Sequence, residues 1–307
     1  MPSLRLALGL CALGLYFTSI GFIYVALSHL SSPGIATLFL FFSVLNILLA
    51  VLSLSTFAIA QNTPVPKWRP RHSPIHLLIV LGSGGHTAEM LSMLRRMELD
   101  PAKYTYRTYI VSSGDNFSAA KAIEFEATLI NRGAKPASYA VVTVPRARRV
   151  HQSYLTAPYT TLISFWSCLL ALCGLHPDQQ QQKTPVQLPS PYPDLILTNG
   201  PATAVCVVLA ARLLRLSHWF LSTLFPARMR YHPLSSTGAR NGKALQAGQF
   251  RLRTVFVESW ARVKTLSLSG NILLPFADRF LVQWPALEGR RAWWGMRKTE
   301  YVGGLLD

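Results

Sequence analysis

Charge is what the first sixty residues lack: of the chain's 30 Lys+Arg and 13 Asp+Glu, only Arg5 falls in residues 1–60. Acidic residues are scarce throughout, which leaves a formal net charge of +17. Such a balance ordinarily accompanies a hydrophilic chain, yet 50% of the 307 residues are hydrophobic and the mean hydropathy is +0.27. Disorder of the whole chain is thereby excluded, since it requires low hydrophobicity. Cysteine is sparse as well. Cys11, Cys168, Cys173 and Cys206 are scattered with no CxxC spacing, which excludes a small disulfide scaffold, gives no metal site and suits a reducing compartment. There is no GKS/T phosphate loop, no DxD pair and no helix-turn-helix, RRM or zinc-finger signature. Nucleic acid is therefore not the expected partner of the positive charge; a membrane surface offers an anionic one.

Two uncharged apolar runs, residues 6–28 and 35–60, are separated by residues 29–34. Each is longer than the ~20 residues a helix needs to cross the hydrocarbon core. A cleaved signal peptide would have a shorter apolar region and no second run behind it. Positive charge stands at Arg5 and again at Lys67, Arg69 and Arg71, with none between the runs. The positive-inside rule then predicts a helical hairpin with both ends in the cytosol. A single crossing, with the other run lying in the interface, is the alternative. Residues 1–60 thus read as a transmembrane anchor, and residues 61–74, with Pro64, Pro66, Pro70 and Pro74, as a stiff linker.

From Ile75 onward, short apolar runs alternate with segments of helical period. Residues 75–81, 105–112, 138–144, 194–198, 253–258 and 279–283 read as strands. Residues 86–97 place Met90, Leu91, Leu94 and Met97 at helical spacing, and further helices are expected over 117–131 and 202–215. The alternation predicts one α/β domain on a mainly parallel sheet over residues 75–307. Segments 178–193, rich in Gln and Pro, and 226–250, rich in Arg, Gly and Ser, read as disordered inserts. Residues 155–175 are uncharged and about as long as a membrane span. A crossing there would put the later strands on the other side of the membrane from the earlier ones, so a helix that is buried or lies in the interface is expected. Arg146, Arg148 and Arg149 before it would meet anionic headgroups at ~1 kcal/mol per charge; a solvated basic turn before an ordinary buried helix fits as well.

Three strand-to-helix turns carry the chemistry. Leu81-Gly82-Ser83-Gly84-Gly85-His86-Thr87-Ala88-Glu89 joins the first strand to the first helix. Glycines let the chain turn tightly and leave backbone N–H groups uncovered, and the helix start adds its dipole, which suits phosphate or diphosphate. His86 and Thr87, at the first helical positions, can turn toward a ligand; helix capping or a satisfied core histidine is the bland alternative for His86. Asn199-Gly200-Pro201 ends a later strand, and in a parallel sheet both turns fall on the edge where ligands bind. After a third strand come Glu258, a candidate base or sugar-hydroxyl acceptor, and Arg262, a candidate phosphate contact, unless the two form a surface i,i+4 pair. Residues 272–287 are apolar and aromatic, which suggests core or a partner-facing surface.

Together these motifs resemble the membrane-anchor subunit family of the two-part UDP-N-acetylglucosamine transferase of asparagine-linked glycosylation. The resemblance rests on residues 81–89 (LGSGGHTAE), 199–203 (NGPAT), 257–270 (VESWARVKTLSLSG) and 275–285 (PFADRFLVQWP), with Tyr301-Val-Gly303 near the end. It departs in having two apolar runs where members often have one anchor, and in the two inserts. The resemblance implies a Rossmann-like domain that is the acceptor half of a GT-B glycosyltransferase. It implies a soluble UDP-N-acetylglucosamine-binding catalytic subunit as partner, and a dolichyl diphosphate-linked acceptor, N-acetylglucosaminyl-diphosphodolichol, which receives its second sugar in β1,4 linkage. It also implies action at the cytosolic face of the endoplasmic reticulum membrane and the continuous nuclear membrane, in contact with its lipids. No cofactor and no metal at the reaction centre are expected.

On this reading His86 and then Glu258 are the catalytic candidates. Gly82, Ser83, Gly84, Gly85, Thr87, Asn199, Gly200 and Arg262 would bind the acceptor and its diphosphate, and residues 272–287 and 301–307 would meet the partner. A pure membrane scaffold without a substrate site, and a self-sufficient transferase acting on another lipid-linked acceptor, are the rival readings.

Overall fold

The computed structural model describes residues 21, 75–97, 99–131, 133–135, 138–148, 152, 156–181, 192–200, 202–224, 252–292 and 296–304. The expected anchor (Gly21 apart) and linker, the segment 226–250 and most of the Gln/Pro segment lie outside them. The chain divides into two compact units, and nearly all the described residues belong to one, Trp68–Ala292 with Lys298–Asp307.

That unit alternates strand and helix: β1 His76–Val80, α1 Gly85–Arg96, β2 Tyr106–Ser112, α2 Asn116–Ile130, β3 Tyr139–Val144, α3 Ala157–Leu172 and α4 Pro177–Gln181. It continues with β4 Leu195–Asn199, α5 Ala202–Leu224, β5 Arg253–Val257, α6 Leu268–Leu273, β6 Arg279–Val282 and β7 Glu300–Tyr301. The seven strands form one sheet in the order β3-β2-β1-β4-β5-β6-β7, with every pairing parallel. At its centre Ile79 stands between Tyr109 of β2 and Leu197 of β4.

The central strands are continuous apolar runs because both faces are covered, and neighbouring residues along each strand go to opposite sides. Leu78, Val80, Ile110, Val142, Ile196, Phe256 and Val282 join one core with Cys168 of α3 and Val207 of α5. Leu77, Ile79, Tyr109, Val111, Leu197 and Val257 join the other with Met90 and Leu94 of α1 and Phe125 of α2. Helices therefore cover both faces, and the strand order reverses between β1 and β4, which opens a crevice at the carboxyl ends of those strands.

The six expected strands are present, and β7 is an addition whose two residues are too short to stand out as a run. Helix α5 extends past the expected end at 215. The Gln/Pro segment needs a correction at its start. Pro177–Gln181 is helical, and the Asp178 carboxylate accepts a hydrogen bond from the Thr143 N–H of β3 at 2.8 Å, giving the sheet's edge a partner.

Ala157–Gln181 is, among the described residues, the stretch long and apolar enough to cross a membrane. It does not cross, because β3 before it and β4 after it belong to one sheet. Ser164, Ser167, Cys168, Ala171 and Leu172 face inward, while Tyr159, Leu162, Ile163 and Trp166 are exposed. Residues 272–287 resolve mainly to core: Leu273, Leu274, Ala277, Phe280, Val282 and Leu287 are buried.

Beneath α2 the structure holds a pair that hydropathy does not announce. Arg107 and Glu126 are fully buried and bonded twice, Nε to Oε1 and Nη2 to Oε2, each at 2.6 Å. Tyr109 donates to the same carboxylate at 2.7 Å, and Arg107 also reaches Ser138 Oγ at 2.6 Å and Tyr104 O at 2.7 Å.

Candidate functional site

The turn after β1 divides into a buried and an open part. Gly82 is buried, whereas Ser83, Gly84 and Gly85 are exposed. Gly84 takes φ 60°, ψ −119° at the N-cap of α1 with no side-chain cap, a backbone that glycine adopts without strain. Its carbonyl accepts from the N–H groups of Thr87 and Ala88. The N–H groups of Gly84, Gly85 and His86 have no acceptor among the described residues, which leaves an uncovered donor set at the start of a 12-residue helix.

Thr87 departs from expectation. Its side chain is fully buried and donates to the Gly82 carbonyl, and its oxygen lies 2.6 Å from Ser118 Oγ. Ser118 in turn donates to Asp115 at 2.7 Å, so Thr87 pins the turn to the start of α2.

His86 is half-buried, with 34% of its side chain exposed. Its Nδ1 lies 3.2 Å from Asn199 Oδ1, at the end of β4, and 3.7 Å from Glu89 Oε2, one turn along α1. Asn199 is fully buried and donates from Nδ2 to Glu89 Oε2 at 2.8 Å. Ser259, just after β5, donates to the other oxygen, Glu89 Oε1, at 2.9 Å. Gly200 has φ 84°, and a Cβ there would lie 2.7 Å from His86 Cγ. Asn199 and Gly200 therefore hold the imidazole in place.

The electrostatics follow from this packing. Glu89 beside it raises the His86 pKa above the ordinary imidazole value, outweighing burial, with Asn199 and Glu258 adding to the rise. Burial works against ionising Glu89, but hydrogen bonds from His86, Asn199 and Ser259 outweigh it and hold its pKa below the usual carboxylate value.

Glu258 borders this cluster, one residue before Ser259. It is 1% exposed, and its carboxylate accepts from Ser259 N, Ser267 N and Ser267 Oγ at 3.2, 3.1 and 3.2 Å. A Cβ on Gly270 would come within 2.2 Å of Oε2. These three local donors tie Glu258 to the loop that leads into α6. Arg262 is exposed on that loop, its N–H bonded to the Ser259 carbonyl at 3.0 Å. The loop is not a helix, so no i,i+4 pair with Glu258 forms.

The structure thus joins His86, Asn199 and Gly200, keeps Gly84 and Gly85 open beside them, and turns Thr87 and Glu258 inward. Glu89 and Ser259, to which the sequence assigned no role, complete the cluster. Their helix-face and post-strand positions were the available signal.

A family model described as "Oligosaccharide biosynthesis protein Alg14 like" matches residues 77–305. The UDP-N-acetylglucosamine transferase subunit alg14 of Aspergillus fumigatus is 60% identical over 231 residues, covering 71% of this chain and 100% of that protein. Its Schizosaccharomyces pombe counterpart is 37% identical over 228 residues, 74% of this chain and 82% of that one. The human subunit ALG14 is 33% identical over 239 residues, 77% and 85% of the two chains. No solved structure matches significantly. The glycine turn, the histidine behind it and the strands that carry both lie inside the matched region, and the chain belongs to the Alg14-like family of oligosaccharide biosynthesis proteins, the UDP-N-acetylglucosamine transferase subunits.

Proposed function

We propose that the domain is the acceptor half of a glycosyltransferase, a Rossmann-like GT-B half-domain whose missing half is a separate soluble protein that binds UDP-N-acetylglucosamine. The pair transfers the second N-acetylglucosamine, in β1,4 linkage, onto N-acetylglucosaminyl-diphosphodolichol at the cytosolic face of the endoplasmic reticulum. One observation carries this reading: turns from β1, β4 and β5 converge on a half-exposed His86 beside an open glycine turn, at the point where the strand order reverses.

The acceptor diphosphate lies against the N–H groups of Gly84, Gly85 and His86, where the helix dipole favours negative charge. Arg262, exposed on the loop after β5, offers a guanidinium to a phosphate. The acceptor's 4-hydroxyl oxygen attacks the anomeric carbon of the donor sugar as the bond to UDP breaks. Its proton passes to His86, whose raised pKa makes the neutral imidazole a stronger base. Two features support the membrane setting. Residues 1–60 have the length and apolarity of a two-helix anchor. Tyr159, Leu162, Ile163 and Trp166, at i, i+3, i+4 and i+7 of α3, form an exposed apolar stripe. Its start is tied through Gln152 to Arg148, which donates to the Gln152 carbonyl at 3.1 Å, and this combination suits the headgroup boundary of an anionic bilayer.

The test is sugar transfer by the full chain co-purified with its partner. His86→Ala should lower the rate by about 100-fold or more while the complex still forms. Transfer at the wild-type rate would reject the acceptor-side reading and favour a chain that only recruits a complete enzyme.

A further inference from the structure

A neutral imidazole can serve as a base from either nitrogen, and the one that keeps its proton is set by what that nitrogen faces. Around His86 the hydrogen-bond directions are forced one after another. The Ser259 hydroxyl accepts from Ala261 N–H at 3.3 Å, so its own hydrogen points to Glu89 Oε1. An ionised carboxylate only accepts, so Glu89 Oε2 must receive the Nδ2 amide group of Asn199. The Asn199 amide is then oriented with Oδ1 toward His86 Nδ1. An oxygen facing Nδ1 keeps the proton there, and the ring nitrogen left without a partner among the described residues is Nε2. Gly200 closes the remaining freedom, since its backbone lies against the ring face.

We infer that Glu89 is a positioning residue for proton transfer: through Asn199 it holds the His86 proton on Nδ1 and leaves Nε2 as the basic nitrogen. The inference rests on the acceptor-side reading above and adds to it a residue that touches no substrate. A glutamine at position 89 offers both an oxygen and an NH2 group, so Asn199 would lose its fixed orientation and the imidazole its fixed tautomer. The same change removes the nearer of the two carboxylates that face His86; Glu258, beyond β5, is the other.

The experiment uses the full chain in its complex and compares wild type, Glu89→Gln, Glu89→Asp and His86→Ala. In Glu89→Gln the transfer kcat should fall about tenfold or more, acceptor KM should stay unchanged, and the acid limb of the pH–rate profile should move to lower pH. Glu89→Asp, which keeps the charge, should hold the limb near its wild-type position. Nitrogen-15 spectra of histidine-labelled wild-type complex should show neutral His86 protonated on Nδ1. A wild-type pH limb and rate in Glu89→Gln, or a proton on Nε2, would overturn the assignment. If His86→Ala is itself fully active, the acceptor-side reading fails; if it is inactive while Glu89→Gln behaves as wild type, only the positioning role fails. Should Glu89→Gln not fold, the spectrum of the wild-type complex decides alone.

Discussion

His76 and His86 stand ten positions apart, one opening β1 and the other following it, and their surroundings drive them in opposite directions. His86 gains a carboxylate and is raised. His76 is 4% exposed, touches Thr108 Oγ1 through Nε2 at 2.9 Å, and is lowered by burial to about 4 despite a partial pull from Asp194. A histidine depressed in the folded state takes up a proton more readily once unfolded. Its contribution is therefore complete above the unfolded pKa near 6.5 and is lost as pH falls from there toward the folded value. A gap of that size corresponds to roughly 3 kcal/mol at most. Thermal melts of the purified chain should drop markedly between about pH 7 and pH 5, and His76→Gln should flatten that drop. An unchanged slope in the variant would assign the acid sensitivity to other groups. At this scale the sequence disclosed His86 and the open glycines, because both are local properties of one turn. It did not disclose Glu89 or Ser259, whose roles exist only where turns 110 and 170 residues apart meet. The direction of the Thr87 hydroxyl was hidden for the same reason, since it depends on α2.

Among the elements, the central strands were legible because both of their faces are covered and they read as apolar runs. Arg107 is the exception within β2, a fully buried charged residue on a strand that is paired on both sides. Its partner Glu126 comes from α2, and nothing in spacing or hydropathy links a strand arginine to a glutamate on the following helix. Removing one member leaves the other charged and buried, which costs about 3–5 kcal/mol, more than most single contacts. Glu126→Ala should therefore lower the unfolding free energy by about that amount, seen as a large fall in melting temperature. Replacing both residues together with apolar ones of similar volume should recover much of it. A double change that costs the sum of the two single changes would show that the pair is not coupled. The apolar helix α3 was ambiguous in sequence for a related reason: length and hydropathy are the same for a span and for a helix with one face buried, and only sheet continuity separates them.

For the whole molecule, the proposed function makes the seven-stranded sheet one wall of a two-sided transferase cleft. The chain purified alone should accordingly show no sugar transfer above background, and activity should return when the soluble partner is added. Transfer by the isolated chain would instead favour a self-sufficient enzyme. The reversal of strand order between β1 and β4 also bears on how the molecule is made. Chains emerge from the ribosome N-terminus first, so β1, β2 and β3 with α1 and α2 can associate before β4 exists. That early half holds His86 and Glu89, whereas Asn199, Gly200 and Ser259 arrive later, when β4 and β5 add along the free side of β1. The histidine's setting is consequently completed at the seam between two consecutively synthesised halves. A lesion that loosens that seam would silence the chemistry while much of the first half kept its shape.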